Sequence, residues 1–185
     1  RVGSLEADER PDVILAEPVG SCTDLVATVI QPLKDLYAGR FEVAPYAVLF
    51  KPSHGLRILR NQAAGGFSPK AAYIFKKQLE EADIIVISKS DLIADAEREE
   101  LVSVLTREFP ASKIVCAAPR SGDGLVDLFA QLMTDEQSKK NSMLVDYEVY
   151  AEGEALLGWL NATVSLAAAD EFEANDFLKA LATEV

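Results

Sequence analysis

The 185-residue sequence predicts an α/β fold: a doubly wound, mostly parallel sheet covered by helices on both faces. Three observations carry that expectation. The runs DVILAE at 12–17, YAVLF at 46–50, DIIVIS at 83–88 and KIVCA at 113–117 are continuously apolar rather than alternating, as in parallel strands buried on both sides. Segments with apolar residues at helical spacing separate them. Only a few loop residues join each helical pattern to the next strand, the rhythm of β-α-β units.

After the first strand, LVATVIQPLKDLYAG is helical, with Thr23 or Asp24 as its cap and Pro32 positioned to kink or split it. The second strand ends in Phe50-Lys51 and runs into KPSHG, whose His54 is the single histidine and reads as a surface or loop residue. The stretch 61–70, NQAAGGFSPK, has two adjacent glycines and is the candidate mobile loop. Its Ser68-Pro69 pair opens a helix through Ala71, Phe75, Leu79 and Ala82. Beyond the third strand, Glu97, Glu99 and Glu100 sit where a helix dipole favours acids, ahead of a stripe of Leu101, Val104, Leu105 and Phe109. The fourth strand is followed by a stripe of Leu125, Leu128, Phe129 and Leu132.

These elements place one unit at 1–134, a polar linker at 135–143 and a small α+β segment at 144–185. In the last, TVSLAAA reads as a strand and ANDFLKALATEV as a helix, while Trp159, Tyr147 and Tyr150 supply packing. One strand and one helix bury no core alone, so they either extend the main sheet or begin a second domain.

A formal net charge of −12 opposes a nonspecific grip on nucleic acid, which needs clustered Lys and Arg. From residue 135 onward eleven acids face three bases, a solvated acidic face. Two cysteines, Cys22 and Cys116, are too few for a disulfide framework and point to a reducing compartment. With no apolar run near the roughly 18–20 residues of a membrane span, and no signal peptide in RVGSLEADER, the expected setting is cytoplasmic, without a membrane partner.

Ligands of open parallel sheets bind beyond the carboxyl ends of the strands. Three polar loops are expected there: Glu17 to Gly20 in E-x-x-G, Ser88-Lys89-Ser90-Asp91, and AAPRSGDG at 117–124. The S-K-x-D segment resembles the [NT]-K-x-D motif with which GTPases read guanine. A carboxylate at that spacing accepts from the ring N–H and the exocyclic amine of guanine, while the Lys stem lies along the base. The plainer alternative is a polar turn, with Asp91 bonded to a nearby backbone amide. Glu17 is likewise either a site acid at a strand end or a solvated carboxylate before a turn, and Gly20 would let backbone approach a phosphate.

Taken in order, ILAEPVGSCTDL, QLEEADIIVISKSDLI and IVCAAPRSGDGLVDLF resemble three successive blocks of the CobW/HypB/UreG family of P-loop GTPases, metallochaperones for nickel, cobalt, zinc or cobalamin-dependent systems. The resemblance spans about 11–134. It implies GTP or GDP with Mg²⁺ as cofactors and a metalloenzyme or cobalamin-dependent client as partner. Glu17 would assist Mg²⁺ or the attacking water, Gly20 would approach phosphate, Asp91 would select guanine, Lys89 would cover the base, and Ala117 and Ala118 would line the loop that closes over it. The stretch WLNATVSLAAADEFEANDFLKAL is similar to the start of a CobW-type C-terminal domain.

Four departures qualify the match. These residues contain neither the Walker A loop G-x-x-x-x-G-K-[ST] nor the C-x-C-C metal motif, Phe50-Lys51 stands where the family has Val-Asp, and Ala-Ala-Pro replaces Ser-Ala. The chain is therefore expected to be part of a longer GTPase, without hydrolytic competence by itself. A nucleotide-free α/β interaction module that has lost GTPase activity is the alternative.

Overall fold

Parallel pairing of three short strands organises the computed structural model, which describes residues 11–20, 23–37, 40–59, 68–134, 144–156 and 173–184. A π-helical winding, Val26–Ile30, runs into α1 (Gln31–Leu36). Then follow β1 (Ala47–Phe50), α2 (Pro52–Leu59), α3 (Pro69–Glu81), β2 (Ile84–Ser88) and a 3₁₀ turn (Ser90–Leu92). The remaining elements are α4 (Asp95–Glu108), β3 (Lys113–Ala117), α5 (Leu125–Leu132), α6 (Tyr147–Leu156) and α7 (Ala174–Glu184). The sheet order is β1-β2-β3, every pair parallel.

The central strand explains why its apolar run does not alternate. Ile85 and Ile87 face one side and pack with Phe50, Leu56, Leu79, Leu101 and Leu105, so α2, α3 and α4 cover that face. Ile84 and Val86 face the other and meet Ala117 together with Leu125, Leu128 and Leu132 of α5. Helices on both sides of a parallel sheet match the expected α/β class. Phe50 is fully buried, and Gly55 makes room for it: a Cβ there would stand 1.8 Å from the ring.

Local signals act where expected in two helices. The Ser68 hydroxyl accepts from the Ala71 amide at 3.1 Å and Pro69 occupies the first turn of α3. Pro32 falls just after the π-helical winding, in the first turn of α1. Its missing N–H and its ring clash with the carbonyl four residues back disturb the regular ladder there.

Four expectations need correction. Residues 12–17 form no strand, and Val13, Ile14 and Leu15 are 54%, 50% and 84% exposed. A parallel strand needs cover on both faces, and these exposed side chains have none. Phe129, expected in the core stripe of α5, is 52% exposed because the Leu125, Leu128 and Leu132 side is the one turned to the sheet. His54 lies in α2 rather than in a loop, the helix starting directly after β1. Neither Thr23 nor Asp24 caps the first helix; a side chain from α3 does, as described below.

The acidic segment does not stand wholly apart. Its α6 packs on α3, closely enough that a Cβ on Gly153 would lie 2.7 Å from Ile74 Cδ1 and 2.9 Å from the Lys70 carbonyl. Tyr73 of α3 accepts from the Asp146 amide, and Lys70 pairs with Glu152. The helix expected near the end is α7; the expected strand at 163–169, the linker 135–143, the stretch 61–67, Cys22 and Trp159 lie outside the described residues. No helix among the described residues is long and apolar enough to cross a membrane.

Candidate functional site

Register brings two of the three expected loops together. β2 and β3 pair as far as Ser88↔Ala117, so the residues after each strand emerge side by side at the carboxyl edge of the sheet. On the other flank Phe50 pairs with Ile87, and the Ser88 hydroxyl donates to the Phe50 carbonyl at 3.0 Å. That bond ties off the end of β2 before the chain turns.

The turn itself is unusual. Lys89 has φ 54° and ψ 39°, a left-handed conformation that costs an L-residue about 1–2 kcal/mol. Its carbonyl accepts from the Leu92 amide at 3.0 Å, closing the 3₁₀ turn, and Ser90 tucks inward at 7% exposure. As a result Lys89 and Asp91 are both exposed. Neither side chain has a hydrogen bond or ion pair among the described residues, so Asp91 is not the backbone-bonded turn acid of the plainer alternative.

Facing them, the 117–124 loop is tightly fixed. Ala118 donates to the Asp123 carbonyl at 2.8 Å, and its own carbonyl accepts from Ser121 and Gly122. The Ser121 hydroxyl bonds the Asp123 carboxylate at 2.7 Å. Gly124, with φ 72°, passes so near β3 that a Cβ would lie 2.0 Å from the Cys116 carbonyl; no other residue fits. Ala117 and Ala118 are each 1% exposed, so they form the base of the loop and set its position. Chemically, this edge offers a carboxylate acceptor, a long cationic stem and a rigid neighbouring loop, parts suited to a flat heterocycle with adjacent N–H donors.

Nothing matches this chain in comparisons with protein-family models, with curated proteins or with solved structures. The site therefore stands on its own geometry.

That geometry does not join Glu17 and Gly20 to the edge just described. Glu17 is exposed in an irregular stretch, and the Gly20 carbonyl accepts from Gln78 of α3 at 2.7 Å. Gln78 is in the last turn of α3, which leads into the start of β2, whereas Lys89 follows its end, roughly 13 Å of strand away. Lys51 does belong to the carboxyl edge: it follows Phe50 directly, is exposed, and its carbonyl accepts from Gly55 at 3.0 Å in the first turn of α2. Among the described residues no group of three or more His, Cys, Asp and Glu is arranged to hold a metal ion.

A second polar cluster has no counterpart among the expected site residues. Glu81, 2% exposed, accepts at Oε2 from the Leu25 amide and the Thr23 hydroxyl and at Oε1 from the Val26 amide, both amides at 3.2 Å. It is the cap of the helix that begins at Val26, supplied from 55 residues away. Asp24, 6% exposed and at φ 60°, stands beside it and accepts at Oδ2 from the Tyr147 hydroxyl of α6. Burial raises the Glu81 carboxyl above its ordinary value, against the lowering bonds from Val26 and Leu25, with Asp24 adding to the rise. For Tyr147, the bond to Asp24 raises the phenol.

Proposed function

We propose that the carboxyl edge around Lys89 and Asp91 recognises guanine, and that the chain is the base-reading part of a CobW-like GTPase serving a metal- or cobalamin-dependent client. One observation carries this reading: two exposed side chains, without partners among the described residues, are held on a left-handed turn beside the rigid 117–124 loop. In it, Asp91 accepts from guanine's ring N–H and exocyclic amine, and adenine, with a bare acceptor at that ring position, is rejected. The Lys89 stem lies along the base, and Ala117 and Ala118 position the loop that closes over it.

Lys89 and Asp91 supply groups for the base, while Gly20 is bonded to Gln78, toward the other end of β2, so the reading rests on base recognition. No hydrolytic step is derived for them. With no Walker A motif in the 185 residues, this chain tested alone is expected to bind guanine nucleotides weakly and to leave GTP intact.

Backbone NMR of the 185-residue chain titrated with GDP and with ADP tests this. GDP should shift the amides of residues 88–92 and 118–122, ADP should not, and Asp91→Ala should abolish the response. Equal responses to the two nucleotides, or an Asp91→Ala titration like the wild type, overturns the assignment.

The second reading, an interaction module, is favoured by a different face. Val126, Phe129 and Met133 of α5 and the turn after it recur at helical spacing and are 81%, 52% and 68% exposed, and Leu49 of β1 is bare as well. Silence of the carboxyl edge toward every nucleotide in the same titration would favour it.

A further inference from the structure

The cluster at the opposite end of β2 holds two buried carboxylates with no basic residue bonded to either among the described residues. Groups of this kind stay buried only when paired, fully hydrogen-bonded or neutralised. Glu81 has its three donors, but Asp24 Oδ1 is fully buried and has none. That orphan acceptor marks a place where a proton is needed.

We propose that Glu81, Asp24 and Tyr147 form a proton-operated latch: a proton on Glu81, donated toward Asp24 Oδ1, holds the 23–30 stretch and α6 against α3, and its loss sets two buried carboxylates against each other and loosens both.

Three elements meet here, and each contributes one group. Asp24 comes from the stretch before α1, Glu81 from the last turn of α3, and Tyr147 from the first turn of α6. Other charges nearby are engaged elsewhere: Lys77 pairs with Glu80 on α3, and Asp83 accepts from the Tyr46 amide at 2.9 Å. On α6, Asp146 accepts from the amides of Glu148 and Val149 within its own turn. Asp24 has a left-handed backbone, and both of its chain neighbours, Thr23 and Leu25, bond Glu81, so its carboxylate stands close enough to raise that of Glu81. From α6 the Tyr147 hydroxyl donates to this cluster, so the latch couples the two segments through that side chain.

The sign follows from the raised Glu81 carboxyl. The folded state holds its proton more tightly than the unfolded chain, so the latch is tightest below the ordinary value of 4.5 and weakens as pH rises through the higher folded value.

A pH titration of the full chain by side-chain carboxyl ¹³C NMR, with Tyr147 ring and backbone amide shifts followed in parallel, tests the latch. Glu81 should titrate above its ordinary value of 4.5, and the amides of Leu25 and Val26 and the Tyr147 ring should move with the same midpoint. Asp24→Asn, nearly isosteric and tolerant of a left-handed backbone, should lower that midpoint. Should that variant fail to fold, Tyr147→Phe keeps the ring: α6 should then cease to follow the Glu81 titration while Leu25 and Val26 still do. An ordinary Glu81 midpoint, or amides and ring indifferent to it, overturns the proposal. So does a saturable shift of the Asp24 and Glu81 carboxyls on adding Ca²⁺ or Mg²⁺ at constant pH, which would make the orphan oxygen a cation ligand.

Discussion

Acidic side chains flank both ends of the central strand, and the two ends are built on opposite lines. Before β2, Glu81 is buried at 2% exposure and bonded from several sides, and it organises the start of the helix at Val26. After β2, Asp91 is exposed and bonded to nothing among the described residues, although the backbone next to it is held in a left-handed conformation. A charge that serves the fold is surrounded by donors. A charge presented by strained backbone and left without partners is available to a ligand, and strain of that kind concentrates at functional sites.

Removing the buried acid should have the largest effect. Glu81→Ala leaves the Leu25 and Val26 amides and the Thr23 hydroxyl without their acceptor, at about 3–4 kcal/mol, read as a lower urea midpoint. A loss below about 1 kcal/mol would mean that water replaces Glu81 freely and that the contrast between the two ends is false. Next comes the loop at the other end. Gly124→Ala combines a left-handed residue with a Cβ 2.0 Å from the Cys116 carbonyl and should cost about 2–3 kcal/mol. Gly122→Ala, at φ 89° but with open space around it, should cost only about 1 kcal/mol. Equal costs would show that β3 yields to the added methyl.

Asp24→Asn sharpens the comparison from the buried side. It removes one of two facing carboxylates and suits the left-handed backbone, so at neutral pH it should stabilise by about 1 kcal/mol. Because the Glu81 carboxyl is raised in the folded chain, the gain should shrink as pH falls toward 4.5, where protonation already relieves the pair. Urea midpoints at several pH values read it directly. A gain independent of pH would assign the effect to the backbone alone.

How much of this the sequence disclosed depends on the range of the interaction. Continuous apolar runs located β1, β2 and β3, and Ser68-Pro69 located the start of α3, because burial on both faces and capping are written into adjacent residues. The run at 12–17 carries the same pattern but is no strand, since pattern cannot say whether the rest of the chain covers it. The Lys89-x-Asp91 spacing was visible, and its neighbourhood with 117–124 followed from strand order. Glu81 as a helix cap was not legible: its partners are 55 to 58 residues away, and in the sequence it is one more acid in QLEEAD. The left-handed turns at Asp24 and Lys89 were hidden too, since neither is a glycine. A hint existed at Asp24, because Asp and Asn populate that region more readily than most residues.

The smallest expected effects bear most directly on the guanine reading. If Lys89 and Asp91 only finish a turn, replacing them should weaken the fold. If they are held out for a ligand, the fold should be indifferent or should improve. Asp91→Ala removes an exposed carboxylate without partners among the described residues and should shift stability by less than about 0.5 kcal/mol. Lys89→Gly relieves a backbone at φ 54° and should stabilise by about 0.5–1 kcal/mol, the entropy of the more flexible unfolded chain offsetting part of the gain. Urea denaturation of both variants beside the GDP titration separates the two outcomes. A more stable Lys89→Gly protein that no longer responds to GDP would show strain maintained for binding. A loss of more than about 1 kcal/mol from either substitution would show that the turn needs these side chains, and the carboxyl edge would then be structural like the cluster at the other end of the strand.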